Sequence, residues 1–188
     1  MARWRPDARS RLAQAALDLY EERGFEGTTV AEIAERAGLT KRTFFRHFAD
    51  KREVLFDGGD RLQGLVVGAI AQAPDDAPPF EVVALGLRAA LGMFDDIGRE
   101  RASARQRIID AHPELQEREQ IKMTRLASAV AAVLRERGVK EPAASLAAGS
   151  GVTVFRVAFE GWVAPGSRRR LDSLLDAAFA ELRAVAAA

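Results

Sequence analysis

The residues of this chain whose types and spacing could do chemistry lie between Thr28 and Lys51, in the run TTVAEIAERAGLTKRTFFRHFADK. Lys41, Arg42, Thr43, Arg46 and His47 fall on one side of a short predicted helix running from about Lys41 to His47. Phe44 and Phe48, four residues apart, fall on the other side. The polar side is an array of hydrogen-bond donors, and its chemistry is recognition. In the major groove of a duplex, Arg and Lys reach guanine O6 and N7, while Thr meets base edges or phosphates. Lys51, with helix-end N–H groups nearby, is a candidate phosphate contact. No comparable constellation for catalysis is present: no nucleophile with a base, no H-E-x-x-H spacing and no glycine-rich phosphate loop. The two histidines, His47 and His112, are far apart in the chain. We therefore expect no enzyme activity, no cofactor and no metal.

The elements that must position these donors are short helices with explicit local signals. Val30, Ile33, Ala34 and Ala37 recur at i, i+3, i+4 and i+7, the stripe of an amphipathic helix. Thr29 and Glu32 have the spacing of a capping box. Gly38 ends that helix, Leu39 plugs the corner and Thr40 caps the next helix. Asp50 to Glu53 repeats the capping pattern, which predicts a third helix from Lys51 to about Gln72 with Leu55, Leu62, Leu65, Val66 and Ala69 inward. Upstream, Asp7 caps a helix to about Arg23 whose inner face is Leu12, Ala16, Leu19 and Tyr20. Gly24 stops it and Phe25 anchors the core. Met1 to Pro6, a basic stretch with Trp4, is expected as a frayed terminus, the other reading being an arm that grips a minor groove.

This stretch resembles the DNA-binding domain of the tetracycline-repressor (TetR) family of transcription regulators. The resemblance runs from about Arg9 to Leu55 and is carried by Thr29, Ile33, Ala34, Ala37, Gly38, Lys41, Thr43, Phe45, Phe48, Lys51 and Leu55. It implies that Lys41, Arg42 and Thr43 face bases or nearby phosphates and that Thr29, Phe45, His47 and Lys51 lie along the backbone. Thr28, Thr40 and Arg46 belong to the same expected DNA-binding set. Two positions depart from the family pattern. Phe45 stands where the family mostly has tyrosine, which removes a hydroxyl-to-phosphate bond. Arg42 replaces a small residue with a long cation able to read a guanine.

Composition bounds the rest. A chain of 188 residues, 48% hydrophobic, has room for a second domain behind a module of about 50 residues. We place the boundary at 1–52 and 53–188. Net charge is only +1, but residues 1–52 carry 11 Lys and Arg against 8 Asp and Glu, whereas the remainder carries 17 against 19. The basic excess sits where nucleic acid would be met. Zero cysteines fit a reducing compartment. No apolar run approaches the ~20 residues of a membrane span, and MARWRPDARSR lacks the apolar core of a signal peptide. The expected location is cytoplasmic, without a membrane partner.

Downstream, every periodic segment is helical, so the expected fold is all-α, with about nine helices. One is predicted over Phe80–Ile97, another over Arg99–Ala111. The arginines of the latter, Arg99, Arg101, Arg105 and Arg107, read as a solvated face pairing with carboxylates, or as a site for an anionic ligand. His112 reads as a helix-end residue. Further helices span Glu114–Arg137, a segment opened by Pro142, and a last one after Ser167. In the final two, Val152, Phe155, Phe159 and Trp162, and Leu171, Leu175, Ala178, Leu182 and Val185, form apolar seams suited to a two-fold four-helix bundle, the other reading being that they close the chain's own core. Gly149, Ser150 and Gly151 allow close helix approach.

The pattern RxxIIxxxPEL at Arg105–Leu115, together with Trp162, resembles the C-terminal domain of mycofactocin-associated TetR regulators. That resemblance implies an acyl-thioester or similar amphipathic effector. The family's pocket lies among the middle helices, so it implies Met93, Phe94, Ile97, Ile109, Met123, Phe155, Arg156 and Phe159 as ligand-binding candidates. The leading expectation is a homodimer that binds a palindromic operator on double-stranded DNA and is released by a small apolar or amphipathic ligand. The alternative is an architectural DNA-binding dimer with no effector.

Overall fold

The computed structural model describes residues 7–187, and the Met1–Pro6 stretch therefore lies outside the described residues. Among the described residues there are ten α-helices and one 3-10 helix, with no strand. The chain divides into two compact units, one formed by residues up to Gly58 with Ala104–Gln116, the other by Gly59–Ser103 with Glu117–Ala188.

The first unit begins with α1 (Ala8–Arg23), where Asp7 accepts a bond from the Ser10 amide at 2.7 Å and holds the first turn. Leu12, Ala16, Leu19 and Tyr20 are buried, as the periodicity predicts. In α2 (Val30–Arg36) the capping box closes both ways: the Glu32 amide donates to Thr29 Oγ1 at 3.3 Å and the Thr29 amide to Glu32 Oε2 at 2.8 Å. Gly38 then turns at φ 63°, and a Cβ there would sit 3.1 Å from Arg11 Nη2. The corner leads into α3 (Lys41–His47), capped by Thr40 through the Thr43 amide at 3.1 Å.

The helix predicted from Lys51 to Gln72 is two elements. Asp50 does accept from the Glu53 amide at 2.9 Å, but only a 3-10 helix follows, Glu53–Phe56. Gly58 at φ 123°, a conformation costly for any side chain, breaks the run before α4 (Gly59–Ala71). The first unit's core also includes Ile109 and Leu115, both buried. They come from the second half of α7 (Arg99–Asp110) and the first turn of α8 (Pro113–Glu136), a stretch that sequence alone placed with the C-terminal region.

In the second unit the segment predicted as one helix over Phe80–Ile97 is α5 (Pro79–Ala89) and α6 (Gly92–Ile97). Short i to i−3 bonds at Ala90 and Leu91 tighten the join, and Gly92 is a poor helix former. α9 (Ala143–Val163) supplies many of the core side chains and packs on α5 and α10 (Leu171–Ala187). Gly151 makes this possible, because a Cβ at that position would come within 2.3 Å of Val83 Cγ1. Among the described residues no helix is long and apolar enough to cross a membrane.

Candidate nucleic-acid interface

α3 separates its two faces sharply. Phe44 is fully buried and Phe48 nearly so, their rings 5.6 Å apart. On the other side Lys41, Arg42 and Arg46 are exposed, and Phe45 is 57% exposed, held edge-on against Phe44 at 5.5 Å. Thr43 is half-buried, with its hydroxyl 3.0 Å from that of Thr40.

The neighbouring helices spend their cations internally. Arg36 bridges Glu22 with two bonds of 2.8 Å, Arg23 meets Glu32 at 2.8 Å, and Arg9 meets Asp57 at 2.5 Å while lying over the Phe48 ring. The Arg36 guanidinium holds the Glu22 carboxyl below its ordinary range, and the bonds from Thr29 do the same for Glu32. By contrast Lys41, Arg42 and Arg46 make no ion pair with another described residue. Cations are thus left free on the exposed donor face of α3, where they can meet phosphates and base edges.

Three expected DNA-binding residues are placed differently. Thr28 is 1% exposed, and its hydroxyl donates inward to Gly24 O at 2.8 Å and Leu19 O at 3.3 Å. It fixes the turn before α2 and does not reach the outer face. His47 Nε2 is buried without a hydrogen-bond partner, and the residue's carbonyl accepts from Arg9 Nη1 at 3.3 Å. Lys51 Nζ donates to three carbonyls, Phe25 at 2.8 Å, Thr28 at 3.2 Å and Glu26 at 3.3 Å. Thr29 is exposed, but its hydroxyl is engaged with Glu32 Oε2 at 2.7 Å. Burial pushes the Tyr20 phenol upward, and its OH donates to Lys51 O at 2.6 Å.

The effector candidates scatter. Phe94, Phe155 and Phe159 do come together, with ring centroids 5.5 to 6.0 Å apart, and Trp162 completes the cluster 5.8 Å from Phe159. Met93 is buried and Met123 half-buried in the same core. Ile109 instead belongs to the first unit's core, because the far half of α7 packs there. Arg156 is an exposed residue paired with Glu160 at 2.7 Å, and Ile97 is 39% exposed. Beside the aromatic cluster lies a cavity of about 310 Å³ whose lining includes Leu91, Phe94, Asp95, Arg99, Trp162, Arg170, Leu171 and Asp172. Of its polar part, sequence reasoning singled out Arg99 but missed Asp95, and missed Arg170 and Asp172, which arrive from just before α10 and from its first turn.

The arginines of α7 are largely committed. Arg99 donates to the carbonyls of Ser167 and Arg169 and covers Trp162, Arg105 donates to Leu55 O, and Arg107 pairs with Glu21 at 3.0 Å. His112 bonds Ile108 O at 2.7 Å and stands edge-on to Phe25, a helix-end role as expected.

The α9 and α10 seams divide between the two readings. Val152, Phe155, Trp162, Leu171 and Leu175 close the unit's own core. The far half of the α10 seam is open instead: Ala178 and Leu182 stand in the wall of a groove of about 550 Å³ between α9 and α10, along which Val185, with Leu146 and Val157 of α9, is at least half exposed.

Comparison with known proteins adds to this geometry. Residues 12–57 match the family described as bacterial regulatory proteins, tetR family, and residues 77–187 match the MftR C-terminal domain. The chain is 36% identical over 88 residues to the HTH-type transcriptional regulator TcmR of Streptomyces glaucescens, covering 47% of this chain and 39% of that protein. It is 33% identical over 116 residues to the putative mycofactocin biosynthesis transcriptional regulator MftR of Mycobacterium tuberculosis, covering 56% and 52%. The matches thus span about half or less of these relatives' lengths. Its fold is similar to that of the transcriptional regulator FadR from Bacillus subtilis in complex with stearoyl-CoA, at 18% identity, a TM-score of 0.63 and coverage of 92% and 96%. The free donor face of α3, the short helix pair that presents it and these two matches together place the chain in the TetR family of DNA-binding transcriptional regulators, with an MftR-type C-terminal domain.

Proposed function

We propose that the protein is a homodimeric, ligand-responsive repressor acting in the cytoplasm. The observation that carries this reading is the segregation of charge in the first unit, where α1 and α2 pair their arginines and α3 leaves Lys41, Arg42 and Arg46 outward. Thr40, Thr43 and Phe45 complete the reading face, Phe45 through contact with sugar or a thymine methyl. Two such helices enter successive major grooves about 34 Å apart. The second copy covers the open α9–α10 groove, whose exposed Leu146, Val157 and Val185 otherwise face water. The effector is a small apolar or amphipathic molecule held against Phe94 and Trp162, and it lowers DNA affinity by binding better to a conformation in which the two heads are wrongly spaced. The stearoyl-CoA complex of the B. subtilis regulator, though a likeness of fold only, is compatible with an amphipathic ligand.

Selection of bound duplexes from a random pool tests this reading, with mobility shifts on the winning sequence. An inverted repeat with half-sites about one helical turn apart supports the dimeric regulator. Failure to enrich any sequence favours an architectural dimer. On the selected duplex, Arg42→Ala relaxes preference at one base pair and costs about 1–3 kcal/mol if the side chain makes a bidentate guanine contact.

A further inference from the structure

Lys51 carries the most specific arrangement in the first unit that the reading face leaves unexplained. An ammonium has three N–H donors and no acceptor. Here the carbonyls of Phe25, Glu26 and Thr28 stand 2.8, 3.3 and 3.2 Å from Nζ, one acceptor for each donor. The same nitrogen lies 4.5 Å above the centre of the Phe25 ring and 3.8 Å from the Glu26 carboxylate. That ring is itself wedged between Tyr20, at 5.2 Å, and His112, at 5.0 Å. The backbone of Lys51 is tied as well, its carbonyl accepting the Tyr20 hydroxyl at 2.6 Å.

A phosphate contact needs at least one donor turned to solvent and no competing anion beside it. Lys51 offers neither: its side chain is 22% exposed, its donors are matched, and Glu26 is the charge at its outer side. What the ammonium does bind is the backbone of the α1–α2 turn, the segment that delivers Thr29 and seats α2, on which α3 packs. We propose that Lys51 is a positioning residue whose side chain builds the α1–α2 turn and thereby aims α3, and that its ammonium makes no phosphate contact in the DNA complex.

The salt dependence of binding to a random-sequence duplex separates the two roles, because each neutralised phosphate contributes about 0.9 to the slope of log K against log salt. Lys51→Met and Lys51→Arg are compared with the parent protein and with Lys41→Ala. Positioning predicts that both Lys51 variants weaken binding, roughly ten-fold, with the parent's slope, and lose amide hydrogen-exchange protection in residues 26–30. Lys41→Ala lowers the slope. Arginine keeps the charge but its planar fork cannot match three converging carbonyls. A slope reduced by about one in Lys51→Met and restored in Lys51→Arg overturns the proposal. Should Lys51→Met fail to fold, the ammonium signal of the unmodified protein decides by NMR. Couplings from Nζ to the three carbonyl carbons that persist on adding the duplex support positioning, and a new coupling to phosphorus overturns it.

Discussion

In α1, α2 and α3 of the first unit the helix start is marked by a side chain that closes a bond on the next turn: Asp7 on Ser10, Thr29 on Glu32 and Thr40 on Thr43. In the other unit, α5, α6 and α9 begin with no side-chain bond from the capping residue. Their boundaries follow packing. Gly86 and Gly151 admit Ile70 and Val83 at distances no side chain would tolerate, and the core is a continuous apolar cluster drawn from distant segments. A helix delimited by caps is specified within a few residues, whereas one delimited by packing needs its neighbours in place first. Two short helices of seven residues each therefore hold a donor array in register, and the longer helices are free to enclose a cavity.

Breaking this comparison at its strongest point means removing what even a well-capped helix depends on. Phe44→Ala empties the centre of the first unit and is expected to cost about 3–5 kcal/mol, seen as a lowered denaturation midpoint. A cost below that of a cap would show that the caps alone hold α3.

The packing side is sharpened by Gly151→Ala. Its Cβ must displace Val83, at an expected cost of about 1–3 kcal/mol. Gly64→Ala, in α4, meets nothing within 4 Å, so it serves as the control, with no loss of unfolding free energy. Equal effects at the two positions would remove close helix approach as the reason α9 packs where it does.

Thr29→Ala tests the cap itself, at about 1 kcal/mol, measured by the same denaturation. The smallest effect expected is in acid. Bonds from the Thr29 hydroxyl and amide hold the Glu32 carboxyl below its ordinary value of 4.5. A carboxyl lowered by folding adds stability that is present above its unfolded value and lost as pH falls through the folded one. The stability difference between the parent and Glu32→Gln should therefore shrink between neutral pH and about pH 3. A constant difference would mean that the carboxylate charge is not what closes the box.

The legible parts of the molecule were those written in adjacent residues. The caps, Gly24 and Gly38, and the inward set Leu12, Leu19, Ile33, Phe44 and Phe48 follow from spacing alone, and so does the outward set Lys41, Arg42 and Arg46. Gly58 was not recognised as a break, because the capping pattern at Asp50 to Glu53 starts a turn without revealing how far it propagates. Thr28 and Lys51 looked like surface donors because sequence shows a side chain's chemistry and not which carbonyls it will find. The seam on α9 and α10 was a real apolar pattern, but periodicity marks an apolar face without naming what covers it.

By itself the sequence determined the all-helical class, the position of the helix-turn-helix and the residues it turns outward, since these depend on bonds and periodicities closed within a few residues. Tertiary structure alone decided that Ile109 and Leu115 complete the first unit's core, that Lys51 and Thr28 spend their donors on backbone, and that α9 and α10 leave Leu146, Val157 and Val185 uncovered. Each of these depends on contacts between residues far apart in the chain, and local spacing carries no information about such a partner until the chain has closed around it.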